Sequence, residues 1–181
     1  MTHHLDASDP LPLRVARGLE HDDRLDQLVD AAAPVARAVV GDEPRRGLLR
    51  GELVGHKLHP VLTDLPVGLW TAATVLDLVG GPQSRVAARK LVGLGLRAVA
   101  PTAATGLADW ERGDRGGQRV GVVHAVLNVG AASLYGLSWL ARRNGHHGLG
   151  TLVGLGAGGV LAAAGYLGGH MAFAASSSSA A

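Results

Sequence analysis

The sequence predicts an all-α protein: a four-helix up-down transmembrane bundle preceded by an N-terminal amphipathic helix. Three observations predict it. Beyond residue 60 the apolar residues, part of a hydrophobic content of 47% in 181 residues, gather into four segments separated by short polar connections. Those segments are rich in Gly, Ala, Leu and Val, and the whole chain holds one Phe, two Tyr and three Trp. Helices that pack closely in lipid need few aromatics, whereas soluble cores draw heavily on them. Each segment also approaches the ~20 residues that cross a hydrocarbon core about 30 Å thick. A soluble bundle of unusually apolar helices is the competing reading, because several segments are short and carry charge.

Residues 1–55 form a polar N-terminal segment. Pro10 and Pro12 stand in a stretch with no positive start, apolar run and small-residue cleavage site, so no signal peptide is expected. Over residues 22–40, Leu25, Leu28, Val29, Ala32, Val35, Ala36 and Val39 recur at helical spacing, with Asp26, Asp30 and Arg37 between them. This is the amphipathic helix. Its polar face carries more acid than base, which suits packing on its own protein better than lying on lipid. Pro44, Arg45, Arg46 and Arg50 make a basic connection to the membrane.

The membrane domain covers residues 56–173, with spans at 62–79, 91–110, 120–140 and 149–173. The connections 80–90, 111–119 and 142–148 are short and polar, and short connections make antiparallel neighbours. Pro66 and Pro101 lie inside spans and should kink them or mark where regular hydrogen bonding starts. Gly154 and Gly158, then Gly165 and Gly169, repeat every fourth residue, a spacing that lets another helix approach the backbone. Residues 174–181, rich in Ser and Ala, read as a disordered tail.

Charge and cysteine content exclude several functions. A formal charge of +2, with the basic residues scattered in connections, gives no face for nucleic acid. With no cysteine the chain can hold no disulfide, thiolate zinc site or cysteine-ligated iron–sulfur cluster. Arg45, Arg46, Arg50, Lys57, Arg112, Arg115 and Arg119 fall on the side of the termini. Arg85, Arg89, Lys90, Arg142 and Arg143 fall on the other, which favours both termini in the cytoplasm.

Alternating spans bring four histidines to one membrane face. His56 and His59 precede span one, His124 lies near the start of span three, and His170 lies near the end of span four. A neutral imidazole can ligate iron or zinc while its second nitrogen needs a hydrogen-bond partner. His59, His124 and His170 are the candidate ligands, of one haem b through two axial nitrogens or of a single zinc or nonhaem iron ion. His124 and His170 are the preferred axial pair. His56, Asp64, Asp109 and Asn128 are the candidate orienting partners on the same face. The alternative is no cofactor, with the histidines capping helix ends or meeting headgroups. Only one internal site is expected, because no span carries histidine at its opposite end and His146 and His147 read as a solvated turn. Asp77 and Arg97 belong nearer that opposite end, as an ion pair or as snorkelling side chains. No His-Glu-x-x-His signature supports a metalloprotease.

Four blocks carry a family resemblance: His56-x-x-His59-Pro60-x-Leu62-Thr63-Asp64-x-Pro66-x-Gly68-x-Trp70, then Thr105-Gly106-Leu107-Ala108-Asp109-Trp110, His124-Ala125-x-x-Asn128 and Gly165-Tyr166-Leu167-Gly168-Gly169-His170-Met171. In this order, over residues 45–173, they resemble the bacterial membrane family known as domain of unknown function 2231. Many relatives place histidine where this chain has Asp64, and the aspartate is similar to the actinobacterial branch. In that branch such segments are often followed by a Rieske iron–sulfur domain, which implies membrane redox work. The resemblance and the histidine face together suggest a multi-pass cell-membrane subunit that relays electrons or anchors a redox protein or larger complex, with a quinone as a further possible partner. The alternatives are a cofactor-free docking module for a soluble redox partner and a metal-dependent membrane hydrolase.

Overall fold

A computed structural model of the chain describes residues 8–178, with side chains through Phe173. Among the described residues there are helices and turns but no strand. Three short helices come first: α1 (Leu11–Glu20), α2 (Asp26–Val40) and α3 (Glu43–Arg50). Four long ones follow: α4 (Leu58–Val79), α5 (Arg85–Trp110), α6 (Arg115–Arg143) and α7 (His147–Ser178). All four long helices have the length and apolar composition to cross a membrane.

The helices extend beyond the apolar spans read from the sequence. Arg85, Arg89 and Lys90 are the first turns of α5, and Arg115 and Arg119 those of α6. Hydropathy marks only the part of a helix that suits hydrocarbon, while backbone hydrogen bonding continues into the polar layer on either side. Asp114 starts α6 as an N-cap, its carboxylate accepting from the Gly117 amide at 2.8 Å. The backbone of α7 is helical to Ser178, beyond residue 173 where a tail was expected, and residues 179–181 lie outside the described residues.

Consecutive long helices meet in antiparallel register. The Trp70 indole Nε1 donates to the Val92 carbonyl near one end of the α4–α5 contact, and Thr102 Oγ1 donates to the Leu62 carbonyl near the other. Between α6 and α7, Ser138 contacts Gly150 while His124 contacts Ala164. The core forms where Trp70 of α4 stacks on Tyr135 of α6, ring centroids 4.0 Å apart and planes 15° from parallel. Val92 and Ala88 of α5 and Ala157 of α7 complete it. Small residues permit this closeness: a Cβ on Gly95 would strike the Trp70 indole. Large apolar side chains point outward all round, among them Val61, Leu78, Val126, Leu137 and Leu152, as a lipid-facing surface requires.

Pro66 and Pro101 lie within continuous helices. Proline at position 66 has no amide to give the Leu62 carbonyl four residues back, and the Thr102 hydroxyl of α5 reaches that oxygen at 3.0 Å, sharing its one proton with the Ala98 carbonyl of its own helix at 2.8 Å. The glycine repeat of α7 serves packing only in part. Added Cβ atoms on Gly154 and Gly158 would meet side chains of α6, but those on Gly165 and Gly169 would meet nothing within 4 Å. Gly168 takes that role instead, because His124 lies over it at 3.0 Å from the added atom.

Among its described residues the N-terminal segment holds three α-helices rather than one, fastened to the end of the long helices where α4 begins. The stripe read on α2 is divided: Val29 and Ala36 are buried, joined by Val40, whereas Leu28 and Val35 are exposed. Packing against a curved helix end covers only part of an apolar face this wide. Gly51, at φ +78°, turns the chain from α3 toward α4, and a Cβ there would run into the His56 backbone.

Candidate functional site

The end of the bundle that carries α1–α3, the near end, holds the four histidines, each in a different setting. His59, in the first turn of α4, donates from Nδ1 to the Thr102 carbonyl at 3.0 Å and rests on the Gly106 backbone of α5. His124 bridges α6 and α7, its Nδ1 donating to the Ala164 carbonyl at 2.8 Å. Its Nε2 accepts from the Asn128 amide at 3.1 Å, and the same amide donates to the His124 carbonyl at 2.9 Å. His170 Nε2 meets the Glu20 carboxylate at 2.8 Å, tying α7 to α1. His56 is exposed and, among the described residues, bonds only the Val54 carbonyl of its own loop, at 3.2 Å.

The candidate orienting residues are scattered. Asn128 lies on His124, as described. Asp109 lines an open cleft of about 540 Å³ with His56, Lys57, Arg50 and Arg112, a cleft that the other three histidines do not line. Asp64 is exposed on the outside of α4 and bonds none of them. In a helix, residue 64 falls nearly opposite Pro66, and Pro66 is buried against the bundle.

These positions do not gather into one metal-binding cluster among the described residues. A metal ion needs three or more such side chains converging on one point, and no such group occurs among the described residues. Of the preferred axial pair for a haem, His124 has both ring nitrogens engaged, and His170 has Nε2 on Glu20. His59 and His56 keep Nε2, and His170 keeps Nδ1, without a partner among the described residues.

Ion pairs fasten the short helices over this face. Arg119, at the start of α6, reaches Asp26 through Nε at 2.7 Å and Asp23 through Nη2 at 2.5 Å, and donates to the Glu20 carbonyl at 3.0 Å. Arg115 pairs with Asp26 and Asp30, both at 2.9 Å. Hydrogen bonding from Arg119 holds the Asp26 carboxyl below its ordinary pKa. Arg46 and Arg50 of α3 face Glu111 at 3.5 and 3.7 Å, beside a second cleft of about 370 Å³ that includes Trp110 and Arg37.

At the far end the reading of Asp77 and Arg97 needs correction. Asp77 pairs with Arg142 of α6, through two bonds of 2.7 and 2.6 Å, and with His147 at 3.2 Å. Ser138 accepts from Arg142 Nε at 3.1 Å and donates to the Gly150 carbonyl at 2.5 Å. Antiparallel register puts Asp77 level with the start of α5, roughly 18 Å along the axis from Arg97 at 1.5 Å per residue. His147 is therefore part of a buried network, and only His146 is exposed as a turn residue should be.

Sequence reasoning missed Glu20, Thr102 and the Arg142 partnership. Glu20 ends a helix whose Val15, Ala16 and Leu19 had helical spacing, but Pro12 and Gly18 masked so short an element. Arg142 falls in a polar connection on the sequence because Arg143 and Asn144 follow it directly.

Four helices of spanning length, an apolar outer surface and a polar end covered by short helices define a small multi-pass membrane protein. Residues 55–178 match the family described as predicted membrane protein, DUF2231, and the chain belongs to it. No curated protein and no solved structure matches the chain.

Proposed function

We propose that this protein is a membrane anchor. In this reading α4–α7 cross the bilayer as an up-down bundle, and the near end docks a soluble redox protein of an electron-transfer assembly. The observation that carries it is the use made of the histidines. His59, His124 and His170 each join one helix to another, so the near end is a tied polar surface covered by α1–α3. Lys57 and Arg112 beside the larger cleft have no ion-pair partner among the described residues, which suits an acidic patch on the docked protein. The greater number of Lys and Arg at the near end supports placing it, with both termini, in the cytoplasm.

The relay alternative, one haem b or a quinone next to His59 and His124, has less support because Asn128 would have to leave His124 before a ligand could use it. An absorbance spectrum and elemental analysis of detergent-solubilised protein, expressed with haem supplied, separates the readings. The anchor should show no Soret band and no stoichiometric zinc or iron, and His124→Ala should leave that result unchanged. A Soret band that His124→Ala abolishes would replace the anchor with the relay.

A further inference from the structure

We infer that this protein assembles with copies of itself through an ion pair inside the membrane, Asp64 of one copy meeting Arg97 of the next. Both side chains are exposed, and neither has a hydrogen bond or ion pair among the described residues. Both lie within helices of spanning length. Charged residues at membrane depth are costly and are almost always turned to the bundle interior or paired. Here two opposite charges face outward unpaired.

Their depths match. The α4–α5 contacts pair residue 59 with 102, 62 with 102 and 70 with 92, so residue 64 stands level with residues 97 and 98. Both charges then lie roughly 9 Å inside the level where α4 begins, at 1.5 Å per residue. Arg97 has a long side chain that could bend toward headgroups, but Asp64 has a single methylene and cannot. Equal depth matters because membrane insertion fixes the height of every copy. Two copies in the same bilayer bring Asp64 and Arg97 together without either one shifting.

Their directions also match a contact between copies and exclude one within a copy. Pro66, Trp70 and Ala73 of α4 are buried, and Asp64 lies about 160° round the helix from Pro66. Val92, Gly95 and Thr105 of α5 are buried, and Arg97 lies about 160° round from Gly95. The two charges therefore occupy opposite edges of the α4–α5 pair. Pro101 adds to the polarity of the Arg97 edge, since it offers no amide to the Arg97 carbonyl four residues back. One edge meets a different edge, so the contact is head-to-tail and builds a ring when the rotation between copies closes.

Single cysteines test this in the full chain, which has none of its own. Gly68 lies one turn from Asp64 on the same edge, where an added Cβ meets nothing within 4 Å. Leu94 lies near Arg97 on α5 and is exposed. Chains carrying Gly68→Cys and chains carrying Leu94→Cys, differently tagged, co-expressed and reconstituted in lipid, should form a mixed disulfide dimer under mild oxidation, and neither should do so alone. Adding Asp64→Asn to the first or Arg97→Gln to the second should abolish it. Chains that all carry Asp64→Arg with Arg97→Asp should regain it. A missing mixed dimer at native charge, or one indifferent to both neutralisations, would overturn the inference. So would loss of co-purifying anionic phospholipid on Arg97→Gln with the mixed dimer intact, which would assign Arg97 to headgroups.

Discussion

At the far end of the bundle Asp77, Ser138, Arg142 and His147 lie between α4, α6 and α7, with the Arg142 side chain 2% exposed and that of Asp77 4%. At the near end Asp23, Asp26 and Asp30 meet Arg115 and Arg119 across partly exposed surface, and separate histidines join the helices beneath. Both ends are polar, yet their polar groups do different work. The far network is closed, each member answering another, and it fixes how three long helices sit. The near ion pairs are partly shared with water, and they hold short helices that also bury Ala16, Val29, Ala36 and Val40. Burial separates the two cases: a buried charge that loses its partner is stranded, while an exposed one is rehydrated.

Breaking the far end should have the largest effect. Asp77→Ala leaves the Arg142 guanidinium buried without its carboxylate and should cost about 3–5 kcal/mol, read as a lowered unfolding midpoint in detergent. Asp77→Leu combined with Arg142→Met removes both charges and should recover most of that loss. A double variant no more stable than Asp77→Ala would mean that the network does more than balance charge.

His124→Ala should come next, at about 1–3 kcal/mol, since it leaves the Ala164 carbonyl of α7 without its donor and takes from the Asn128 amide one of its two acceptors, the His124 carbonyl remaining. His59→Ala gives up one bond to Thr102 and should cost less. If the two cost the same, the difference drawn between a doubly bonded and a singly bonded histidine fails.

Arg119→Gln should leave the unfolding midpoint of the long helices nearly unchanged but speed proteolysis within α2. Equal sensitivity of both regions would show that the near end is not a separable layer. The smallest effect is that of pH. Asp26 has its carboxyl held below its ordinary value of 3.8. A depressed carboxylate pKa contributes stability above the unfolded value and loses it as pH falls through the folded one. Protection of α2 should therefore be constant at neutral pH and fall only in acid below 3.8, in wild type but not in Asp26→Asn.

The four long helices were legible because their apolar content exceeds anything a connection would carry, and the ends of α4 and α5 at Val79 and Trp110 coincide with the ends of the apolar segments. The shared histidine face was legible from chain alternation alone. What alternation could not supply is rotation about each helix axis. Asp64 and Asn128 were grouped together by height, yet one faces outward and the other lies on His124. Position along the membrane normal follows from counting residues, whereas direction follows from which neighbour a helix packs on. Partners that come from distant segments, such as Glu20 for His170, leave no mark in local spacing.

The bond from Thr102 to the Leu62 carbonyl bears on how the protein is made. Pro66 leaves that oxygen without a donor in its own helix, so a nascent α4 alone would carry an unanswered carbonyl into hydrocarbon. The donor arrives with α5, only a short connection later in synthesis. That shared proton favours entry of the two helices into the bilayer together as a hairpin, in which α5 answers in part for the proline of α4.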